Sequence, residues 1–171
     1  MIHKKLFELE EPCFFIMETD DGAFQDLSFQ LADEDARRRV RRVRGGKSRT
    51  VPAFFNEIAA ALQFPYYFGE NWAAFEECIT DLDWIEGTAY LLMINNANLL
   101  FSKADDEDFR ILLRLLGKAN EEWREPNTFI PRSRPPTPFH VLFHCTTGET
   151  AAFSERLAKA QILPTRLEES A

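Results

Sequence analysis

The sequence lacks the features that mark membrane-spanning, secreted and disulfide-bonded proteins. In its 171 residues no apolar run approaches the roughly 18 to 20 residues that span a bilayer, and acidic residues interrupt the N-terminus where a signal peptide carries its apolar core. The three cysteines are far apart and form no Cys-x-x-Cys pair, which favours reduced, packed thiols. We therefore expect one soluble, cytoplasmic domain over residues 1–171 that contacts no membrane.

The sequence also lacks catalytic and cofactor motifs. It has no glycine-rich phosphate loop, no nucleophile beside a recognisable base and no metal-binding pattern. Glu76 and Glu77 are neighbours on a predicted helix and diverge by about 100°. His140 and His144 are separated by about 13 Å on a predicted strand, and Cys145 points to the opposite face. We expect packed histidines, no catalytic residue, no metal and no cofactor, and therefore no enzyme.

Charge is segregated along the chain. The net charge is −8, yet eight of the twenty basic residues lie between Arg37 and Arg49, so the remainder has twelve basic and twenty-eight acidic side chains. An acidic body repels nucleic acid and favours encounter with a basic partner. The arginine run has no interleaved aromatic residue on which bases could stack. We interpret it as solvated or paired with the chain's own acids, and expect no direct contact with nucleic acid.

Hydrophobic periodicity predicts alternating strands and helices. Apolar runs predict strands over 12–17, 88–94 and 139–145. Helical spacing predicts four helices: one over 51–63 that is capped by Thr50, one capped by Asn71, one that starts at Ser102 and Asp105 and ends at about Arg124, and one over 149–162. Prolines predict a loop over 126–138. The pattern leaves 23–35 open, and the arginine run fits either a helix or an edge strand. This order favours a small α/β fold with a parallel sheet.

The segment Phe64–Trp84 combines seven aromatic rings and five carboxylates with no lysine or arginine. One stripe of its predicted helix is apolar and predicts core residues: Ala74, Phe75, Cys78, Ile79 and Leu82. The opposite stripe comprises Ala73, Glu76, Glu77 and Thr80. Four more aromatic rings lie just before this helix or at its first residue, which is more than packing at the start of one helix requires: Tyr66, Tyr67, Phe68 and Trp72. This surplus makes the segment a candidate partner-binding surface, although most helices simply have a polar outer face.

The stretch "ALQFPYYFGENWAAFEECITDLDW" resembles the barstar-like family, small inhibitors of barnase-type bacterial ribonucleases. Weaker similarity covers 38–145, which makes 1–37 an N-terminal extension and 146–171 a C-terminal helix and tail. The resemblance implies a three-stranded parallel sheet packed with about four helices in two or three layers. It also implies that the arginine run is the first strand of that sheet, and the preceding apolar run an extra N-terminal strand.

The resemblance implies a protein inhibitor, of the antitoxin or immunity type, of a basic ribonuclease or ribonuclease toxin. In the family, an acidic helix and an aromatic loop occlude the enzyme's active site, and carboxylates take the place of RNA phosphates. The barnase–barstar pair is itself a standard example of electrostatically steered association. The implied partner-binding residues are Tyr67, Gly69, Asn71, Trp72, Ala73, Glu76, Glu77 and Thr80.

Several positions depart from the family pattern. Glu77 stands where the family has its central aspartate. Ala73 stands at the position of another acidic contact residue. Glu76 occupies the position of a tryptophan, and Trp72 occupies that of a leucine. Lys118 falls near a further acidic contact position. These changes keep an alternative open, in which the fold is an interaction module that acts through the proline-rich loop or the terminal extensions and inhibits no nuclease.

Overall fold

A five-stranded parallel sheet forms the centre of the molecule. The computed structural model describes residues 2–129 and 131–168. The strands are β1 (Phe14–Glu18), β2 (Arg38–Arg44), β3 (Ala89–Asn95), β4 (Phe139–Cys145) and β5 (Thr165–Leu167). Their order in the sheet is β2-β3-β4-β1-β5, and every neighbouring pair is parallel. The α/β class is confirmed.

Helices cover both faces of this sheet. They are α1 (Asp21–Glu34), α2 (Val51–Leu62), α3 (Trp72–Asp81), α4 (Asp106–Arg124) and α5 (Thr150–Lys159). The helix α1 and a 3₁₀ segment, Ile2–Phe7, pack on one face, whereas α2 to α5 build the larger core on the other. The sheet therefore lies between two helical layers.

The expected three strands plus an extra N-terminal strand, with about four helices, are broadly compatible with the structure but too few, because the described residues form five strands and five α-helices. The strand β4 is buried at all seven positions, so it requires a hydrogen-bonded neighbour on each side. β3 supplies one neighbour and β1 the other, which places β1 inside the sheet. The edge strand β5 has only three residues, one of them buried, and is too short to show a pattern in the sequence.

The two segments left open by the sequence are regular. Asp20 is the N-cap of α1, and its carboxylate accepts the Ala23 N–H at 2.9 Å. The buried face of α1 has helical spacing but includes Ser28, which weakens the hydrophobic pattern in the sequence. The arginine run is the edge strand β2, as the family resemblance implies. Its valines are buried on opposite faces of the sheet, Val40 with α1 and Val43 with the larger core.

Element boundaries differ from the predictions by a few residues. α4 begins at Asp106 with Asp105 as N-cap, so the predicted start at Ser102 is wrong. No helix or strand is present in 126–129 and 131–138, the described parts of the predicted proline-rich loop. All three cysteines are free and buried. Over the described ranges, no helix is long and apolar enough to cross a membrane.

Two buried histidines of β4 hydrogen-bond to backbone groups. His144 Nδ1 accepts the Asn96 N–H at 3.2 Å, so Nε2 carries the proton that is donated to the Thr19 carbonyl oxygen at 3.0 Å. His140 Nδ1 lies 2.9 Å from the Leu6 carbonyl oxygen. Burial lowers the pKa of His140 below its usual 6.5. These contacts agree with the predicted packed, hydrogen-bonded histidines.

We predict that His140 makes the fold less stable in mild acid. Well above pH 6.5, the ordinary pKa of histidine, the imidazole is neutral in both the folded and the unfolded state. Below that pH the unfolded chain takes up the proton first, because the folded pKa is lower, so the free energy of unfolding falls. Urea denaturation between pH 7.5 and 5.5 should show this fall, and His140→Gln should reduce it. An identical pH dependence in the variant would contradict this role.

Candidate partner-binding surface

A fixed loop precedes the candidate helix α3. Asn71 caps α3: its side-chain oxygen accepts the Ala74 N–H at 2.9 Å, and its amide nitrogen donates to the Gly69 carbonyl oxygen at 3.1 Å. Glu70 takes the left-handed conformation with φ +49°, which turns the chain into the helix. A Cβ on Gly69 would lie 3.0 Å from the Asn71 amide nitrogen. The two predicted loop residues Gly69 and Asn71 therefore shape this turn together.

The inner face of α3 packs on an aromatic cluster. Phe75 is fully buried, and its ring contacts those of Phe54, Phe55 and Trp72 with centroids 5.6 to 6.3 Å apart. The predicted core stripe is confirmed for Phe75, Cys78, Ile79 and Leu82, which are buried, while Ala74 is half-buried. This packing fixes the rotation of α3, and with it the direction of the outer stripe.

Trp72 belongs mainly to this packing. Its ring is half-buried against Phe54, Phe55 and Phe101, and its indole N–H donates to Asp108 Oδ1 at 3.3 Å. Phe68 is also half-buried, against Phe55. These two rings thus support the loop from inside, and a partner contact by Trp72 remains a prediction.

Two rings of the loop are exposed instead. Tyr66 is fully exposed and Tyr67 is 65% exposed, and the two rings meet edge to face with centroids 5.6 Å apart. Within residues 2–129 and 131–168, neither hydroxyl makes a hydrogen bond to the protein. Large, rigid amphipathic rings of this kind are typical of binding surfaces.

The outer stripe of α3 divides by exposure. Ala73 and Glu77 are exposed, whereas Glu76 and Thr80 are half-buried. The Thr80 hydroxyl donates to the Glu76 carbonyl oxygen at 2.9 Å, so the bond is local to the helix. Of the two carboxylates on this stripe, that of Glu77 belongs to an exposed residue and that of Glu76 to a half-buried one.

A lysine of the neighbouring helix α4 pairs with the stripe. Lys118 Nζ donates to Glu76 Oε1 and lies 3.6 Å from Glu122 Oε1. The hydrogen bond to Glu76 is the main cause that raises the pKa of Lys118. The sequence indicated Lys118 as a change of charge near this surface but gave no sign that it binds Glu76.

An arginine of the proline-rich loop pairs with the C-terminal end of the same segment. Arg132 lies 2.9 Å from Asp81 Oδ2 and 3.3 Å from Asp83 Oδ2. Burial, followed by repulsion from Asp83, raises the pKa of Asp81, and Arg132 acts against that rise. No sequence signal pointed to Arg132, which lies 51 positions from Asp81.

These pairs reduce the acidic surface. Of the five carboxylates between Phe64 and Trp84, Glu76, Asp81 and Asp83 each have a cationic partner. In the part of the chain that the structure describes, Glu70 and Glu77 are exposed and form no ion pair. The surface therefore consists of Tyr66, Tyr67 and two available carboxylates.

Asn71→Ala should destabilise the protein by about 1 kcal/mol, because the first turn of α3 loses a capping acceptor. Urea denaturation of the full chain measures this loss. Asn56→Ala is the matched control, since Asn56 is exposed inside α2 and alanine favours a helix interior. An equal loss in both variants, or none in Asn71→Ala, would contradict the capping role.

Comparisons with known proteins agree with this organisation. The family model described as Barstar (barnase inhibitor) matches residues 38–144, and a search of curated proteins finds no match. Among solved structures, the crystal structure of Cdc6p from Pyrobaculum aerophilum is similar to this protein, with a TM-score of 0.51 and 13% sequence identity. The similar region covers 92% of this protein but 40% of the Cdc6p chain, and the likeness concerns the fold alone. Because the family model covers more than half of the sequence, including α3 and strands β2 to β4, the chain belongs to the barstar (barnase inhibitor) family.

Proposed function

We propose that this protein inhibits a basic, barnase-type ribonuclease by covering its active site with the Tyr66–Tyr67 loop and the outer stripe of α3. The observation that carries the proposal is the exposure of Tyr67 and Glu77 beside the rigid cap at Asn71, within the region that matches the barnase-inhibitor family. An accessible carboxylate on a rigid helix suits a cationic cleft, because little conformational freedom is lost on binding.

The proposed role is that of an antitoxin or immunity protein. We further propose a cytoplasmic location, since a cell that makes such a ribonuclease needs protection from it there. The inhibitor acts by binding alone, and no catalytic residue is assigned to it. We expect no direct contact with RNA, because a net charge of −8 disfavours the approach of a long polyanion.

The internal ion pairs define the kind of ribonuclease that fits. If Lys118 stays bound to Glu76, and Arg132 to Asp81 and Asp83, the partner meets Glu77 and Glu70 as available carboxylates. A cleft with many cations would then retain some without counterions, which is costly at a desolvated interface. We therefore expect a partner whose cleft has few cations facing α3.

Inhibition of RNA cleavage tests the proposal. A panel of basic barnase-type ribonucleases, including those encoded in the same genome, is assayed with increasing amounts of the full chain. Glu77→Gln should raise the inhibition constant for a susceptible enzyme at least about tenfold, because a charge-assisted hydrogen bond is lost. Glu121→Gln is the control, since this exposed residue of α4 has the same charge change.

Undiminished RNA cleavage by every enzyme of the panel, across a wide excess of the protein, would contradict the proposed function. Equal weakening by Glu77→Gln and Glu121→Gln would contradict the proposed surface, because overall charge rather than a contact of α3 would then be responsible.

Lys118→Gln should speed association with a susceptible ribonuclease by a few-fold at low salt. The change removes the cation from Glu76 and makes the surface more acidic, which strengthens steering of a basic partner. Stopped-flow measurements at about 0.02 M and 0.5 M salt should show a difference that is nearly lost at high salt. Slower association would contradict this and would indicate that Lys118 contacts an acidic group of the partner.

One observation favours a second candidate function, an interaction module that inhibits no nuclease. Phe129, in the proline-rich loop, is 81% exposed, and exposed aromatic residues often mark binding surfaces. A pull-down with the full chain distinguishes the two functions. Partners that the Phe129→Ala variant no longer captures, and that the Tyr67→Ala variant still captures, would favour the module. Partners that only the Tyr67→Ala variant fails to capture would favour the inhibitor.

A further inference from the structure

A cleft opens where β2, β3 and β4 begin, and it meets the outer stripe of α3 at Thr80. It has a volume of about 1270 Å³ and lies between the sheet edge, the end of α3 and the proline-rich loop. Its lining includes Arg39 and Arg41 of β2, Tyr90 of β3, and Arg134 of the loop. In an acidic protein this concentration of guanidinium groups is unexpected.

Arg39 and Arg41 share one face of β2, because they are two residues apart on a strand. Their neighbours Arg38 and Arg42 point to the other face, where their guanidinium carbons lie 4.0 and 4.8 Å from the ring centroids of phenylalanines. The Arg39 stem lies against Gly87, at which a Cβ would be 2.6 Å from Arg39 Cγ. The backbone of Gly87 thus directs Arg39 along the cleft.

The cleft arginines retain most of their hydrogen-bonding capacity. Arg39 donates one bond to the Ala36 carbonyl oxygen at 2.7 Å, and Arg41 one to the Val40 carbonyl oxygen at 3.2 Å. Over 2–129 and 131–168, no carboxylate oxygen lies within 4.0 Å of either guanidinium. A guanidinium has five N–H donors, so about eight remain available between the two.

A third cation, Arg134, and the buried Tyr90 also line this site. Arg134 stacks over Trp123 with its guanidinium carbon 3.9 Å from the ring centroid, and donates to the carbonyl oxygens of Glu122, Trp123 and Glu125. Tyr90 is buried at the base of the cleft, and its hydroxyl donates to the Ile85 carbonyl oxygen at 3.4 Å. Burial is the main cause that raises the pKa of this hydroxyl. Burial, followed by repulsion from Arg39, lowers the pKa of Arg41.

Protection of the sheet edge accounts for only part of this arrangement. Charged side chains on an edge strand hinder pairing with another chain, and the exposed Arg42 serves that purpose. Arg41, however, is half-buried, and a partly desolvated charge without a counterion is unfavourable. The nearby acids Asp81 and Asp83 are paired with Arg132. A bound anion would supply the missing counterion.

We propose that this cleft binds a small phosphate-bearing molecule through Arg39 and Arg41, with Arg134 and Tyr90 at the same site. A carboxylate has two oxygens and about four lone-pair positions, which is fewer than the roughly eight N–H donors that Arg39 and Arg41 leave available. A phosphate or diphosphate offers these donors more acceptor oxygens. The cleft is large enough to admit a nucleotide-sized ligand. Carboxylates of Asp81, Asp83 and Glu86 in the cleft lining disfavour an extended polyanion such as RNA.

Calorimetric titration of the full chain with inorganic pyrophosphate, at ionic strength held constant with sodium chloride, tests the proposal. The unmodified protein should bind saturably, and Arg41→Gln and Arg39→Gln should each weaken binding at least about tenfold. Arg42→Gln is the matched control, because it removes the same charge from the same strand on the other face; it should change affinity less than about twofold. Citrate, a tricarboxylate, should bind at least about tenfold more weakly than pyrophosphate.

Circular dichroism identifies any variant that does not fold, and Arg41→Lys then replaces Arg41→Gln, since it keeps the charge and removes the planar donor pair. Three results would each overturn the proposal: no saturable binding by the unmodified protein at about 10 mM pyrophosphate, equal weakening by Arg42→Gln and Arg41→Gln, or equal affinity for citrate.

Discussion

The packing of Phe75 on the aromatic cluster beneath α3 determines where the proposed surface points. A helix of ten residues is not stable alone in water, because the cost of nucleating it exceeds the gain from so few hydrogen bonds. Contacts of its inner face with α2 and α4 therefore stabilise it, and the Trp123 indole N–H adds a bond to the Ile79 carbonyl oxygen at 2.9 Å. Because the inner face is fixed, the outer residue Glu77 and the adjacent Tyr67 are held before any partner arrives. Such preorganisation reduces the entropy lost on binding.

Local pairing, more than net charge, determines what this surface offers. The chain carries −8 overall, yet two cations, Lys118 of α4 and Arg132 of the proline-rich loop, pair with three of the carboxylates around α3 and offset two of their charges. The arginines Arg39 and Arg41 of the edge strand β2 line a cleft that adjoins the end of α3 at Thr80. The two binding functions that we propose thus lie side by side and involve different partners: a protein for α3 and a small anion for the cleft.

The sequence predicted the elements whose pattern is local. Asn71 as a cap, the buried stripe through Phe75 and Ile79, and the apolar runs of β3 and β4 all follow from neighbouring residues, and the structure has them. The contacts of Glu76 with Lys118 and of Asp81 with Arg132 join residues 42 and 51 positions apart, so they depend on the tertiary fold. Trp72 could not be assigned either, because an aromatic residue at a helix entry has the same sequence pattern whether it is exposed or packed.

The family match, the exposed tyrosines and the orientation of α3 lead to one central claim, that residues 66–80 form the surface that contacts a ribonuclease. Hydrogen exchange of the full chain, with and without a ribonuclease that it inhibits, measures that surface most directly. We predict slower exchange at backbone amides between Tyr66 and Thr80, and unchanged exchange in β5 at the far edge of the sheet. Slower exchange confined to the proline-rich loop or to β2, with residues 66–80 unchanged, would contradict the claim.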